Sequence, residues 1–191
     1  MNNKQGLPVL LIALLVLLAP LGARAQSRSV GTQNPVASAV LNAVQGHGRS
    51  LIAGAEEMPA AKYGYAPTPQ QMTFGHLVMH VAQSNAFLCS RISGEKAPVL
   101  GNLTEKTPKA DLVAAMKKSF DFCEQALAKV NDSTLSEQVP FFGGRKISKA
   151  AAMIGLSNDL FDHYSQEAIY LRLNGLLPPT AQPRQGARRG M

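Results

Sequence analysis

The chain reads as an all-α four-helix bundle preceded by a signal peptide. Three observations carry this reading. Four stretches place apolar residues at helical spacing, no stretch shows the period-two alternation of a half-buried strand, and a short apolar run near the N-terminus ends in small residues. Four amphipathic helices with no strand partner must bury their apolar stripes on one another.

The N-terminal segment sets the context. Lys4 lies in a short polar stretch, residues 9–19 are an unbroken apolar run, and Ala23-Arg24-Ala25 puts small residues at the −3 and −1 positions of a cleavage site. This predicts a signal peptide over 1–25 and an exported protein, periplasmic or secreted. The run of eleven residues is short of the ~20 that a membrane-spanning helix needs, so no stable membrane span is expected after cleavage. Cleavage leaves 166 of 191 residues, enough for one domain with a real core. Residues 26–33 are small and polar and read as a flexible leader.

The bundle itself is expected over 34–180. Asn34-Pro35 opens helix 1 with an N-cap residue and a proline, and Val36, Val40, Val44, His47 and Leu51 carry its stripe to about Glu57. Residues 58–71 hold three prolines and two Gly/Tyr pairs, a long connection. Thr73 caps helix 2, Phe74, Leu77, Val81, Leu88 and Ile92 face the core, and Gly94 ends it. Thr107-Pro108 repeats the cap-plus-proline start for helix 3, whose stripe is Leu112, Met116, Phe120, Cys123, Leu127 and Val130. Residues 131–145 read as irregular, with Phe141 and Phe142 packing over one end of the bundle. Helix 4 runs from near Ser148 to Asn174-Gly175, and Pro178-Pro179 prevents its resumption. From 181 to 191 the chain is rich in Gly, Arg and Gln and reads as a disordered basic tail.

The charge of +7 belongs mostly to the ends. Removing Lys4 and Arg24 leaves +5, and setting aside Arg184, Arg188 and Arg189 leaves +2 for 26–180. No basic stripe interleaved with aromatics is present, so no nucleic-acid partner is expected. The partner expected is a small-molecule substrate, with a homodimer left open. Two cysteines, Cys89 and Cys123, permit one disulfide in an exported chain. Cys89 lies about one turn inside the end of helix 2, and Cys123 about four turns into helix 3. Antiparallel packing of those helices would leave them roughly 15 Å out of register at 1.5 Å per residue. The alternative is two buried free thiols.

Four residues have spacings that chemistry can use. His76 and His80 are one turn apart on helix 2, as are Asp159 and His163 on helix 4. Turned inward, His80, Asp159 and His163 would offer two imidazoles and a carboxylate, a donor set suited to zinc, nickel or ferrous iron with positions left for water or substrate. The same spacing also serves an ordinary local ion pair and a histidine held in the core or on the surface. His76 reads as exposed, His47 as a member of the helix 1 stripe, and Glu167, one turn after His163, as a solvated charge in preference to a general base. No Gly-rich phosphate loop, G-x-S-x-G elbow or Cys-His dyad is visible.

Thr73-Phe74-Gly75-His76-Leu77-Val78-Met79-His80-Val81-Ala82, with Asn85 and Leu88-Cys89, resembles the second helix of DinB-like proteins. Asp162-His163-Tyr164-Ser165-Gln166, Tyr170-Leu171-Arg172-Leu173-Asn174-Gly175 and Pro178-Pro179 resemble that family's last helix and its exit, and Tyr63-Gly64-Tyr65 with Pro67-Thr68 fits before helix 2. The likeness spans about 34–179. It implies a four-helix bundle holding a divalent metal through one histidine of helix 2 and an H-x-x-x-H pair on the last helix. His80 matches the first and His163 the last, while Asp159 stands where the family has histidine. The implied chemistry is that of thiol-dependent transferases and isomerases. The expectation is therefore a metal-dependent transferase or hydrolase, with a non-catalytic metal- or ligand-binding bundle as the alternative and a purely structural bundle as the third.

Overall fold

The structure is a computed structural model, and it describes residues 33–183. The expected signal peptide, nearly all of the expected leader and residues 184–191 of the tail lie outside the described residues. Four helices dominate: α1 (Pro35–Glu57), α2 (Phe74–Ser93), α3 (Lys109–Leu127) and α4 (Lys149–Leu173). Among the described residues no helix is long and apolar enough to cross a membrane.

The helix directions follow from side-chain pairs. Asn85 meets Ser119 and Cys89 meets Cys123, both pairs 34 residues apart, so α2 and α3 run parallel. Ser84 meets Asp159 and His80 meets His163, so α2 and α4 run antiparallel. On the other side Gln45 meets Glu124 while Glu56 meets Lys117, making α1 antiparallel to α3. His47 packs on Phe161 and Gly54 on Glu167, making α1 parallel to α4. The bundle is thus up-down-down-up, ordered α1-α3-α2-α4 around its axis. The core is built on Leu51, Leu77, Ile92, Met116, Leu156 and Leu160, all fully buried.

Parallel packing removes the register objection to the disulfide. Cys89 and Cys123 are bonded, with Cα atoms 5.2 Å apart. The connection over 94–108 carries the chain back along α2. Fifteen extended residues reach about 50 Å, against roughly 30 Å for a helix of 20 residues.

The caps are partly as expected. Thr73 Oγ1 accepts from His76 N–H at 3.1 Å, and Ser148 Oγ from Ala151 N–H at 3.2 Å. Tyr65 and Tyr63 carbonyls accept from the N–H groups of Phe74 and Gly75, so the 58–73 connection completes the α2 terminus. Gly94 ends α2 with φ +79°, and Gly175 follows α4 with φ +76°. Leu176 N–H then donates to Leu171 O at 3.0 Å, which uses a carbonyl the helix leaves free.

Other expectations are corrected. Asn34 makes no side-chain bond to its own helix. Asp132 caps α1 instead, accepting from Val36 N–H at 2.9 Å and Ala37 N–H at 2.8 Å, while Asn34 Oδ1 accepts from Asp132 N–H at 2.9 Å. Thr107 caps no helix: its hydroxyl accepts from Thr104 N–H within the loop, and Pro108 stands at the α3 N-cap. Residues 131–145 are not wholly irregular. β1 (Gln138–Pro140) pairs antiparallel with β2 (Lys146–Ser148) around Phe141 and Phe142. Phe142 stacks on Phe87 of α2 at 5.0 Å between ring centroids, so the aromatic pair does sit against the bundle. Ala181 and Gln182, read from the sequence as the start of the tail, are ordered: Pro179–Ala181 is a 3-10 turn and Gln182 Nε2 donates to Glu57 at 2.6 Å.

Candidate functional site

The polar residues facing α2 from α4 form the site. Asp159 and His163 lie one turn apart on α4, and α2 runs antiparallel against them, bringing His80 and Ser84 alongside. The His80 and His163 rings meet edge-to-face with centroids 4.8 Å apart. Asp159 Oδ1 lies 3.5 Å from His163 Nε2, and Ser84 Oγ donates to Asp159 Oδ2 at 3.5 Å. Two of the three residues selected from the sequence, His80 and Asp159, thus each lie beside the third, His163.

Exposure grades across the site. His163 is buried, His80 is half-buried and the Asp159 side chain is 34% exposed, so solvent reaches the site from the Asp159 edge. Burial, and after it the neighbouring His163, lowers the His80 pKa, with Asp159 opposing. For Asp159 burial acts upward, but His163, His80 and Ser84 together hold the carboxyl below its ordinary value. Asp159 thus stands as a carboxylate, the form in which it can hold a cation.

Two donor types in this ratio fit a divalent ion by their chemistry. Their present orientation is a different matter: among the described residues no three His, Cys, Asp or Glu side chains converge on one point. Asp159 is engaged by His163 and Ser84 instead. Of His80, Asp159 and His163, only His163 keeps a buried side-chain atom without a partner, its Nδ1.

His76 does not join the group. Its side chain is 40% exposed and lies 3.7 Å from Glu105, so the residue is half-buried and not fully exposed as expected. His47 packs edge-on against Phe161 on the α1 side, and burial lowers its pKa. Glu167 departs from expectation. It is buried at 1% exposure, neither carboxylate oxygen has a hydrogen-bond partner, and burial pushes its pKa well above the usual carboxylate range. The signal was present in the spacing: one turn beyond an inward His163 is also inward, and Gly54 on α1 leaves room for the carboxylate. A Cβ at Gly54 would stand 2.7 Å from Glu167 Oε2.

A family model described as the DinB superfamily matches residues 44–166. The chain belongs to the DinB superfamily. Solved structures agree on the fold. A DinB-like protein from Bacillus subtilis is 22% identical with a TM-score of 0.62, covering 76% of this chain and 99% of its own. A DinB-like protein from Bacillus cereus is 18% identical with a TM-score of 0.63, covering 74% and 95%. A histidine-to-alanine mutant of a mycothiol-dependent maleylpyruvate isomerase is 15% identical with a TM-score of 0.56, covering 68% of this chain and 59% of that one. No curated protein matches significantly. At these identities the likeness speaks for the DinB bundle, and function rests on this chain's own site.

Proposed function

We propose that this protein is an exported DinB-superfamily metalloprotein that holds one divalent cation, zinc, nickel or ferrous iron, between α2 and α4 and acts on a small molecule. His80, Asp159 and His163 are its ligands. The observation that carries the reading is the placement of His80 against His163 across two antiparallel helices, with a carboxylate one turn away at the solvent edge. The disulfide between Cys89 and Cys123 supports an oxidising compartment.

A bound ion of this kind supplies Lewis acidity and lowers the pKa of a water or thiol in its open positions. The chain's own residues do the rest. His163, buried, fixes the inner wall. Asp159, held as a carboxylate, keeps negative charge at the mouth, and Ser84 orients it. A structural neighbour named as mycothiol-dependent supports thiol-dependent transfer as the first class to screen, with hydrolysis second. A second reading is a non-catalytic metal- or ligand-binding bundle with a degenerate site, and the lack of convergence of the three donors among the described residues supports the degeneracy. Titration of metal-free protein tests the ligand set: His163→Ala should weaken binding more than Asp159→Asn, and His76→Ala should leave it unchanged. Equal loss in His76→Ala would move the site to the other helix 2 histidine.

A further inference from the structure

The layer between α2 and α4 extends beyond the polar residues described above. His80, Ser84, Phe87 and Arg91 follow one another at spacings of four, three and four, which puts them on one flank of α2. His80 sits beside His163 and Ser84 beside Asp159, so later turns of α2 meet earlier turns of the antiparallel α4. In that register Phe87 comes level with Gly155 and Leu156, and Arg91 with Ala151 and Ala152. The flank thus leads from Asp159 past Phe87 to Arg91, toward the β1–β2 hairpin. There Phe142, 49% exposed, stacks on Phe87 with ring centroids 5.0 Å apart.

Two features of this flank are not explained by packing. Gly155 lies one turn before Asp159 inside α4, where glycine is the poorest helix former after proline. A Cβ there would meet no neighbouring heavy atom within 4 Å, so no contact requires the missing side chain. Gly48 and Gly54, by contrast, make room for Phe120 and Glu167. Space beside Asp159 is therefore kept open. The second feature is Arg91, exposed, with its guanidinium carbon 4.8 Å from the Phe87 ring centroid. Among the described residues it forms no ion pair, and neither do Arg145 and Lys146, which follow Phe142 in the hairpin. The last turn of a helix suits a cation in any case, but three unpaired cations around one aromatic pair also make a place for an anion.

Resting on the small-molecule reading above, we propose that this flank is a substrate subsite, and that the substrate is a small organic carboxylate with an apolar or aromatic body. The carboxylate pairs with Arg91, the body lies over Gly155 against the Phe87–Phe142 pair, and the reacting end reaches toward His80 and Asp159. A guanidinium suits this task because two of its N–H groups can donate in parallel to one carboxylate. The span is short. The guanidinium lies over Phe87, and Phe87 is three residues beyond Ser84, about 4.5 Å along the helix axis.

The test titrates 3-phenylpropionate, and in parallel its uncharged amide, into the whole mature protein stripped of metal, following backbone amide chemical shifts. The carboxylate should bind with a dissociation constant on the order of 1 mM, as so small a ligand allows, and shift residues around Phe87, Arg91 and Gly155. The amide should bind about tenfold more weakly, and added salt should weaken only the carboxylate. Arg91→Gln should bring the carboxylate down to the amide's affinity and leave the amide unchanged. Gly155→Leu should bind neither, while melting no lower than wild type, because leucine is the better helix former and meets open space. Equal binding of acid and amide overturns the proposal, as does wild-type affinity in either variant, or no shift at about ten times the expected dissociation constant. Because the titration is run without metal, its failure counts against the subsite alone; failure of the metal reading shows separately, as wild-type protein that takes up no zinc.

Discussion

Along α2, the face turned to α3 and the face turned to α4 both carry polar residues, and the two layers differ in how they are completed. Toward α3, Asn85 Nδ2 donates to Ser119 Oγ at 3.2 Å, Ser119 donates to Met116 O at 2.7 Å, and the Cys89–Cys123 bond follows one turn on. Asn85, Ser119 and both cysteines are buried. Toward α4, the layer is open to solvent at Asp159 and leaves His163 Nδ1 unpartnered, and one turn on Glu167, also unpartnered, lies on the α1 side against Gly54. A polar layer with its partners in place fixes a register, as a buried network does when complete. An incomplete one costs stability, and such sites gather where a protein binds or reacts. The α3 face is architecture; the α4 face is where function should be sought.

The comparison can be broken most forcefully at the disulfide. Reduction, or the Cys89→Ala/Cys123→Ala pair, frees a loop of 34 residues' separation. Chain entropy puts the loss at about 3–4 kcal/mol. Denaturant unfolding with and without reductant measures it, and a loss near zero would mean that the α2–α3 register is held by packing alone. Ser119→Ala is the next step down. It strips the buried Asn85 amide of its acceptor, at about 1–3 kcal/mol by the same measurement. Neither change should affect metal binding at the α4 face.

The smallest effect is a slope. Burial raises the Glu167 carboxyl above its ordinary 4.5, with Gly54 of α1 against it and the Tyr63 phenol nearby, itself raised by burial, Glu167 and Glu56. In the pH range between the unfolded and folded values the native state keeps a proton that the unfolded chain has lost. Stability contributed by this group is thus fully present below about pH 4.5 and falls as pH rises toward the folded value. Glu167→Gln should flatten that slope in metal-free protein. An identical slope in the variant would show that Glu167 ionises as readily in the fold as in the unfolded chain.

Much of the bundle was legible in the chain. Thr73, Gly94, Ser148 and Gly175 mark helix ends because caps and left-handed turns depend on local residues. Direction is not local. The stripe through Leu112, Phe120 and Cys123 says which face of α3 is buried but not whether α3 runs with α2 or against it, and antiparallel packing was the wrong frame for the cysteines. The Asp132 cap on α1 was out of reach for the same reason, since donor and acceptor are about 95 residues apart in sequence. The strands of the β1–β2 hairpin are too short, at three residues each, to show a period, and Pro140 argues against one. At the site, i,i+4 spacing found Asp159 and His163. Glu167 was misread because its charge outweighed its place on the inward face, which Gly54 on another helix makes habitable.

The central claim is that the open layer between α2 and α4 holds one divalent cation. Metal analysis of mature protein purified without a metal-binding tag, and again after loading with zinc, nickel or ferrous iron, tests it most directly. About one equivalent per chain is expected in the wild type, as for a single site of three protein ligands, and close to none in a folded His163→Ala. A wild-type protein that stays empty after loading with each of the three metals, while fully folded and disulfide-bonded, would contradict it.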